Sequence, residues 1–461
     1  MMTFLRQWQR PLEILAACAI LFLLWLPGVR IPITSDTTGY ALLGESLWRH
    51  GSYMLNGVPY AKQLPFHAFV SYPLCWLAGF QLGMKISTLL AGCAVLIATY
   101  FLIEHSFSRI VAILSVIFLL LHHGFILMTM LGSADLLFAA LFIGSLAAFI
   151  RAEDDRRMYL LSGLFLGLAS LTRYNGLPLY LLYPAIIFWK RSKDLHSTAF
   201  WIGALLALSL PGLWLVRNFV IFGNPLHTTY ASEYAQEAPS VIREVVRNIQ
   251  YYFNPLHNIL PVLFLLSIFG LIRFWRTHSI LILGMLAGSA LAFIWYVQGI
   301  RFAFPGYPIL LGFAAAGTAD LWNRFRAMHR LVILGAIFTL FLHGAALCLY
   351  AYGACNGWVD RTINLVPSDL HISSEGLYAI SLARDFIDAD APEGAAVLVR
   401  SGNAAVWRQG VFRSDLKIVD RLGQACPAYE IEQGDRPTHV LFTTDVSPKT
   451  YVIRWNCPAS K

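Results

Sequence analysis

The chain alternates between long apolar runs and short clusters rich in charge, Gly and Pro. Runs such as PLEILAACAILFLLWLPGV and RLVILGAIFTLFLHGAALCLYAY approach or exceed the ~20 residues a helix needs to cross a hydrocarbon core. Apolar length and breaker positions predict membrane helices near 11–29, 85–104, 110–127, 135–150, 159–172, 177–189, 198–220, 258–275, 279–297, 304–322 and 331–351. That is about eleven spans. FHAFVSYPLCWLAGF is apolar but short and broken by Pro73, so it is expected to lie along the membrane interface. No internal repeat is visible.

From about residue 362 the texture changes. SSEGLYAISLARDFIDADAPEG has helical periodicity and stops at Pro392 and Gly394, while AAVLVR, DLKIVDRL and THVLFTT read as short strands. The expected fold class is an α-helical polytopic membrane protein with a small C-terminal soluble α/β domain. Residues 1–351 form the membrane region, with a first outer loop at 30–84, and residues 352–461 form the soluble domain.

Charge sets the expected orientation. The loops holding Arg6 and Arg10, Arg109, RAEDDRR, KRSKD, RFWRTH and NRFRAMHR are short and basic, whereas HHGFILMTMLGSA has neither Lys nor Arg. Basic loops stay cytoplasmic, which puts the N-terminus inside and the C-terminal stretch outside. LPGVRIPIT offers no small-x-small cleavage site, so the first helix is expected to remain uncleaved. The chain is 57% hydrophobic and 13% charged, against about a quarter charged in soluble domains. The formal charge of +8 is accounted for by the cytoplasmic loops, and no nucleic-acid partner is expected. Localisation in the plasma (inner) membrane follows.

Of seven cysteines, Cys18, Cys75, Cys93 and Cys348 lie in apolar surroundings and read as packing residues. Cys426 and Cys457 fall in the exported stretch, where an oxidising compartment permits a disulfide. No CxxC, HExxH, GxSxG or phosphate loop occurs. No ligand cluster supports a divalent metal, whose requirement stays open, and no other cofactor is expected.

The informative polar residues gather on the outer side: Asp36, Lys62, Asp135, Arg173, Arg217 and Arg301. Ionisable groups near hydrocarbon are costly and usually face a cavity or a partner. Each also has a plainer reading. Arg217 and Arg173 end helices, where a cation suits the macrodipole, and for Arg217 that reading is preferred. Asp135 opens a helix and Asp36 stands in TSDTTGY, where capping or a turn would also explain them. His122 and His123 show no metal-ligand spacing.

The order of these residues resembles the GT-C class of membrane glycosyltransferases. Within it the likeness is to the branch with protein O-mannosyltransferases and the lipid A aminoarabinose transferase (glycosyltransferase families 39 and 83). An Asp follows the first helix with a Tyr behind it (Asp36, Tyr40), then YAKQLP, LGSADLLFAALF, GLFLGLASLTRYNGLPLYLLYP and RFAFPGYPILL. Two departures stand out: Thr37 where the family often has Glu after the Asp, and Lys62-Gln63-Leu64-Pro65 for its Lys-Pro-Pro.

The resemblance implies a polyprenyl-phosphate-sugar donor and an acceptor outside the cytoplasm, either a glycolipid such as lipid A or a protein. It makes Asp36 the base, with inversion at the anomeric carbon. Lys62, Arg173 and Arg301 become donor-phosphate ligands, and Tyr40, Tyr60 and Asp135 donor or acceptor contacts. A flippase for lipid-linked sugars is the alternative. Transport sites sit near the midplane, whereas these charges collect on one side.

Overall fold

A computed structural model describes residues 2–30, 35–55, 57–230, 234, 240–253, 261–295, 298–324, 335, 383–399, 416–419, 427–433, 440–443 and 450–455. The first helix, α1 (Met2–Trp25), runs into a 3-10 turn at Leu26–Arg30. Then come α2 (Ser35–His50), a two-stranded hairpin of β1 (Met54–Leu55) and β2 (Val58–Pro59), and α3 (Pro65–Ala78). The helical body continues with α4 (Phe80–Ser106), α5 (Arg109–Leu120), α6 (His123–Leu131), α7 (Asp135–Arg151), α8 (Met158–Ser170), α9 (Leu177–Lys190) and α10 (Thr198–Phe222). It ends with α11 (Val241–Tyr252), α12 (Pro261–Phe274), α13 (Ser279–Ile294), the short α14 (Ile300–Ala303) and α15 (Tyr307–Arg324).

Lipid is as apolar as a leucine, so packing between membrane helices depends on close backbone approach at small residues. A Cβ on Gly163 of α8 would stand 1.9 Å from the Gly203 carbonyl oxygen of α10, and one on Gly270 of α12 would stand 1.9 Å from the Phe313 carbonyl oxygen of α15. Both contacts close only because glycine has no side chain. The centre is α7, buried along most of its length and packed on α4 and α8. Phe118, Phe125, Phe138, Phe142, Phe149, Phe304 and Phe313 fill the core. In contrast, α10 exposes Leu205, Leu208, Leu213, Val216 and Phe219. A contiguous apolar outer face of that kind is a lipid face.

Among the described residues, Phe80–Ser106, Thr198–Phe222 and Ile300–Arg324 are long and apolar enough to cross a membrane. A fourth candidate is the bent pair Arg109–Leu120 and Gly124–Leu131. The sequence predicted one unbroken helix over 110–127, yet the chain turns by 64° between these two. The reason is local: His122 leaves helical geometry and its Nδ1 accepts from the Phe125 N–H at 3.3 Å, starting α6 as a new cap. The segment expected at the interface forms a helix, α3, which tolerates Pro73. The predicted span at 331–351 lies outside the described residues, apart from position 335.

The C-terminal region holds a helix at 383–390 and a five-stranded sheet in the order β4-β3-β5-β7-β6. Its strands are β3 (Ala396–Val399), β4 (Lys417–Val419), β5 (Ala428–Gln433), β6 (Phe442–Thr443) and β7 (Thr450–Trp455). β3 pairs in parallel with β4 and β5, and β7 runs antiparallel to β5 and β6. The periodicity located β3, β4 and β6. It missed β5 (AYEIEQ) and β7 (TYVIRW), two of the longer strands, because each carries charged residues that interrupt an apolar run. Cys426 and Cys457 lie outside the described residues.

Candidate active site

Asp36 sits in the first turn of α2. The start of that helix is fixed from two sides. Thr37 Oγ1 donates to the Leu131 carbonyl at 2.8 Å, and Gln63 Nε2 donates to the carbonyl of Asp36 itself at 2.9 Å. Thr37 therefore faces the protein interior, fully buried. The chain fits there because Gly132 closes α6 at φ +76°; a Cβ at that position would stand 2.5 Å from the Thr37 methyl.

With its backbone held, Asp36 presents its carboxylate to an open cavity of about 650 Å³, within the usual size range for small-molecule sites. The same cavity is lined by Tyr40, Lys62, Arg173 and Arg301. Four of the five are ionisable at ordinary pH, three of them cationic, so the cavity suits an anion.

Arg301 Nη1 lies 3.5 Å from Asp36 Oδ2, and both side chains are open to solvent (39% and 53% exposed). Arg173 Nη1 donates instead to Asp135 Oδ1, in a pair that is almost closed off (19% and 2% exposed). Both guanidiniums stand over the ring of Phe302, Arg301 at 4.8 Å and Arg173 at 5.6 Å from its centroid. Lys62 Nζ lies over the Tyr230 ring at 5.3 Å. Such contacts add cation–π attraction to the three cations.

Tyr40 packs edge-on against His67 at 4.8 Å. Burial pushes its hydroxyl well above the ordinary tyrosine value, so it serves as a neutral hydrogen-bonding group. Burial also lowers His67 to about 4; the ring is neutral and bonded to the Gly132 carbonyl at 3.2 Å.

Asp135 and Tyr60 do not line the cavity. Asp135 stands behind Arg173, with Oδ2 buried and unpartnered. Tyr60 packs beside Tyr53 and Trp214 in a cluster that also takes in Tyr40 and Tyr174 of the cavity wall. Arg217 fastens that cluster, donating to the carbonyls of Tyr60 and Tyr53 at 3.0 Å each and stacking on Trp214. It does not end a helix as expected, since α10 runs on to Phe222 with no basic residue in its last turn; it ties α10 to the hairpin instead.

Sequence reasoning missed the aromatic wall. Tyr174, Tyr230, Tyr234 and Trp295 line the cavity as a run of ring contacts spaced 5.4–6.1 Å apart. The available signal was the tyrosine pair of TTYASEYA, Tyr230 and Tyr234, four positions apart between two apolar runs.

Lys85 was missed too. It is fully buried, and its Nζ donates at 2.7 Å to the carbonyls of both Gly28 and Val29. A buried ammonium is tolerated only when its donors are used. Here it closes the end of the Leu26–Arg30 turn that leads toward Asp36.

Residues 73–214 match the family described as Dolichyl-phosphate-mannose-protein mannosyltransferase. Comparison with curated protein sequences returns no match. Among solved structures, ArnT from Cupriavidus metallidurans bound to undecaprenyl phosphate aligns over 97% of this chain and 98% of its own, with a TM-score of 0.62 and 14% identity. The oligosaccharyltransferase of Archaeoglobus fulgidus, complexed with Zn and sulfate, aligns over 88% of this chain and 62% of its own (TM-score 0.59, 12% identity). AglB of the same organism, with an inhibitory peptide and a dolichol-phosphate, aligns over 89% and 64% (TM-score 0.55, 12% identity). Over residues 73–214 the chain is thus similar to that mannosyltransferase family, and over nearly its whole length it shares the fold of ArnT.

Proposed function

We propose that the chain transfers a sugar from a polyprenyl-phosphate carrier to an acceptor on the non-cytoplasmic side of the plasma membrane, with inversion at the anomeric carbon. One observation carries the reading: a carboxylate and three cations line a single cavity whose other walls, Leu177, Leu291, Ile294 and Trp295, are apolar. A donor with an anionic head and an isoprenoid tail matches both halves. The acceptor is a glycolipid such as lipid A or a protein. The membrane region comprises residues 1–351 with about eleven spans, N-terminus inside, and residues 352–461 form an exported domain.

In this mechanism Asp36 takes the proton from the acceptor hydroxyl as its oxygen attacks the anomeric carbon. The carbon–phosphate-oxygen bond breaks on the opposite side, and the leaving phosphate keeps the electron pair. Its growing charge is met by Lys62, Arg173 and Arg301, fixed before the reaction begins. Arg301 has two roles. In the resting state it shields Asp36, and when the phosphate arrives it turns to that stronger anion, freeing the carboxylate.

Lys62 acts as a point charge, whereas the arginines offer paired donors. Tyr40 bonds to the phosphate or a sugar hydroxyl. The aromatic wall of Tyr174, Tyr230, Tyr234 and Trp295 receives the sugar face.

Asp36 is the sole carboxylate among the described lining residues, and the Thr37 hydroxyl is committed to Leu131. That donor set does not fit a divalent metal, and no step here uses one.

The deciding experiment is transfer by purified Asp36→Asn protein supplied with lipid-linked donor and envelope acceptors. Loss of transfer with donor binding intact supports the assignment; near-normal turnover refutes it.

A further inference from the structure

Helix α11 is amphipathic in the reverse sense. Its interior face carries Glu244, Asn248 and Tyr252, all buried, whereas Ile242, Val246, Ile249 and Phe253 form an exposed apolar stripe. At four, three and four residues apart, those positions share one side of a helix. Arg243 and Arg247, beside the stripe, are exposed as well.

The buried polar face has a clear partner. Asn248 Nδ2 donates to the carbonyls of Phe293 and Trp295, at 3.0 and 2.7 Å, where α13 ends and helix carbonyls lack internal acceptor use. Tyr252 bonds both ways to Gly299, donating to its carbonyl at 2.9 Å and accepting from its N–H at 3.4 Å. The helix thus holds both ends of the stretch that supplies Trp295 to the cavity and leads into Arg301.

We infer that α11 seats in the membrane surface, its apolar stripe in the acyl region of the cavity-side leaflet and Arg243 among lipid phosphates, while Arg247 pairs with buried Glu244 on the same helix. Three observations select lipid as the occupant. The stripe and the flanking cations have the layout of an interfacial helix. The helix lies at the end of a membrane-region helix, where a bilayer surface would be. The flanking elements in the chain, α10 and α12, likewise expose Phe219 and Val220, and Leu265 and Ile272. Seating in lipid steadies the cavity wall through Asn248 and Tyr252, which links bilayer composition to the geometry around Trp295.

The test places a photoreactive benzophenone side chain at Ile242, and separately at Ile249, in the full-length chain. The protein is held in nanodiscs of phosphatidylcholine with phosphatidylglycerol, and adducts are identified by mass spectrometry. The expected product at both positions is a lipid adduct. Capture of a second copy, or of another segment of the same chain, overturns the inference. Adding Arg243→Gln is expected to lower the share of phosphatidylglycerol among the adducts, and an unchanged share overturns the role given to that cation. Since the readout is the captured molecule, the outcome is independent of whether the chain transfers sugar.

Discussion

Two aspartate–arginine pairs stand at the cavity, and they are built for opposite purposes. Asp135 and Arg173 are enclosed; Asp36 and Arg301 are open, longer and half-exposed. Removing one partner of a buried pair strands a charge away from water, so the first pair is a fixture whose product is one arginine held in place. An exposed pair contributes ~0–1 kcal/mol to stability, so the second can part at little cost. The same two residue types therefore give a permanent electrostatic post and a releasable one. The difference comes from burial alone.

The comparison can be broken most directly at Asp36. Asp36→Asn keeps the shape and removes the base, and kcat is expected to fall by about 10²–10⁴-fold with the thermal midpoint unmoved. A normal rate in a radiolabelled transfer assay would end the distinction. Asp135→Asn should do the reverse first: it leaves Arg173 buried without its counter-ion and destabilises the protein by roughly 3–5 kcal/mol, read as a lower midpoint in nanodiscs. Pairing it with Arg173→Met should recover most of that stability without restoring transfer.

A third variant, Arg301→Gln, is expected to lower kcat by about 10²–10³-fold while leaving donor-free stability within ~1 kcal/mol of the parent. A large drop in the midpoint would show the open pair to be structural after all. The smallest effect is expected for Tyr60→Phe: the ring that packs against the cluster is kept and the lost hydroxyl lies outside the cavity lining, so KM and kcat should both stay within about twofold. A marked rise in KM would extend the site toward the hairpin.

Much of the site was legible because charge beside hydrocarbon is conspicuous. Asp36, Lys62, Arg173 and Arg301 stood out by type and place, and they meet in one cavity. The split between the two pairs was not legible, since burial depends on what packs around each residue and not on its neighbours in the chain. The aromatic wall was hidden for a related reason: Tyr174, Tyr230 and Trp295 are brought together from three distant segments, and single aromatic residues are common in any membrane protein. Lys85 opened a predicted span and so looked like an ordinary boundary residue; its two carbonyl partners lie 56 and 57 positions earlier. In the C-terminal region, β5 and β7 escaped because their alternation mixes charge into both strands.

Phe302 touches both arginines with a single ring. One hydrocarbon surface thereby supports a buried guanidinium and an exposed one without any bond between them. Swapping that ring for a smaller or more electron-rich one would change how both guanidiniums are held while every formal charge stayed put. Relatives of this chain could thus diverge in donor preference through a position that no inventory of acids and bases would include.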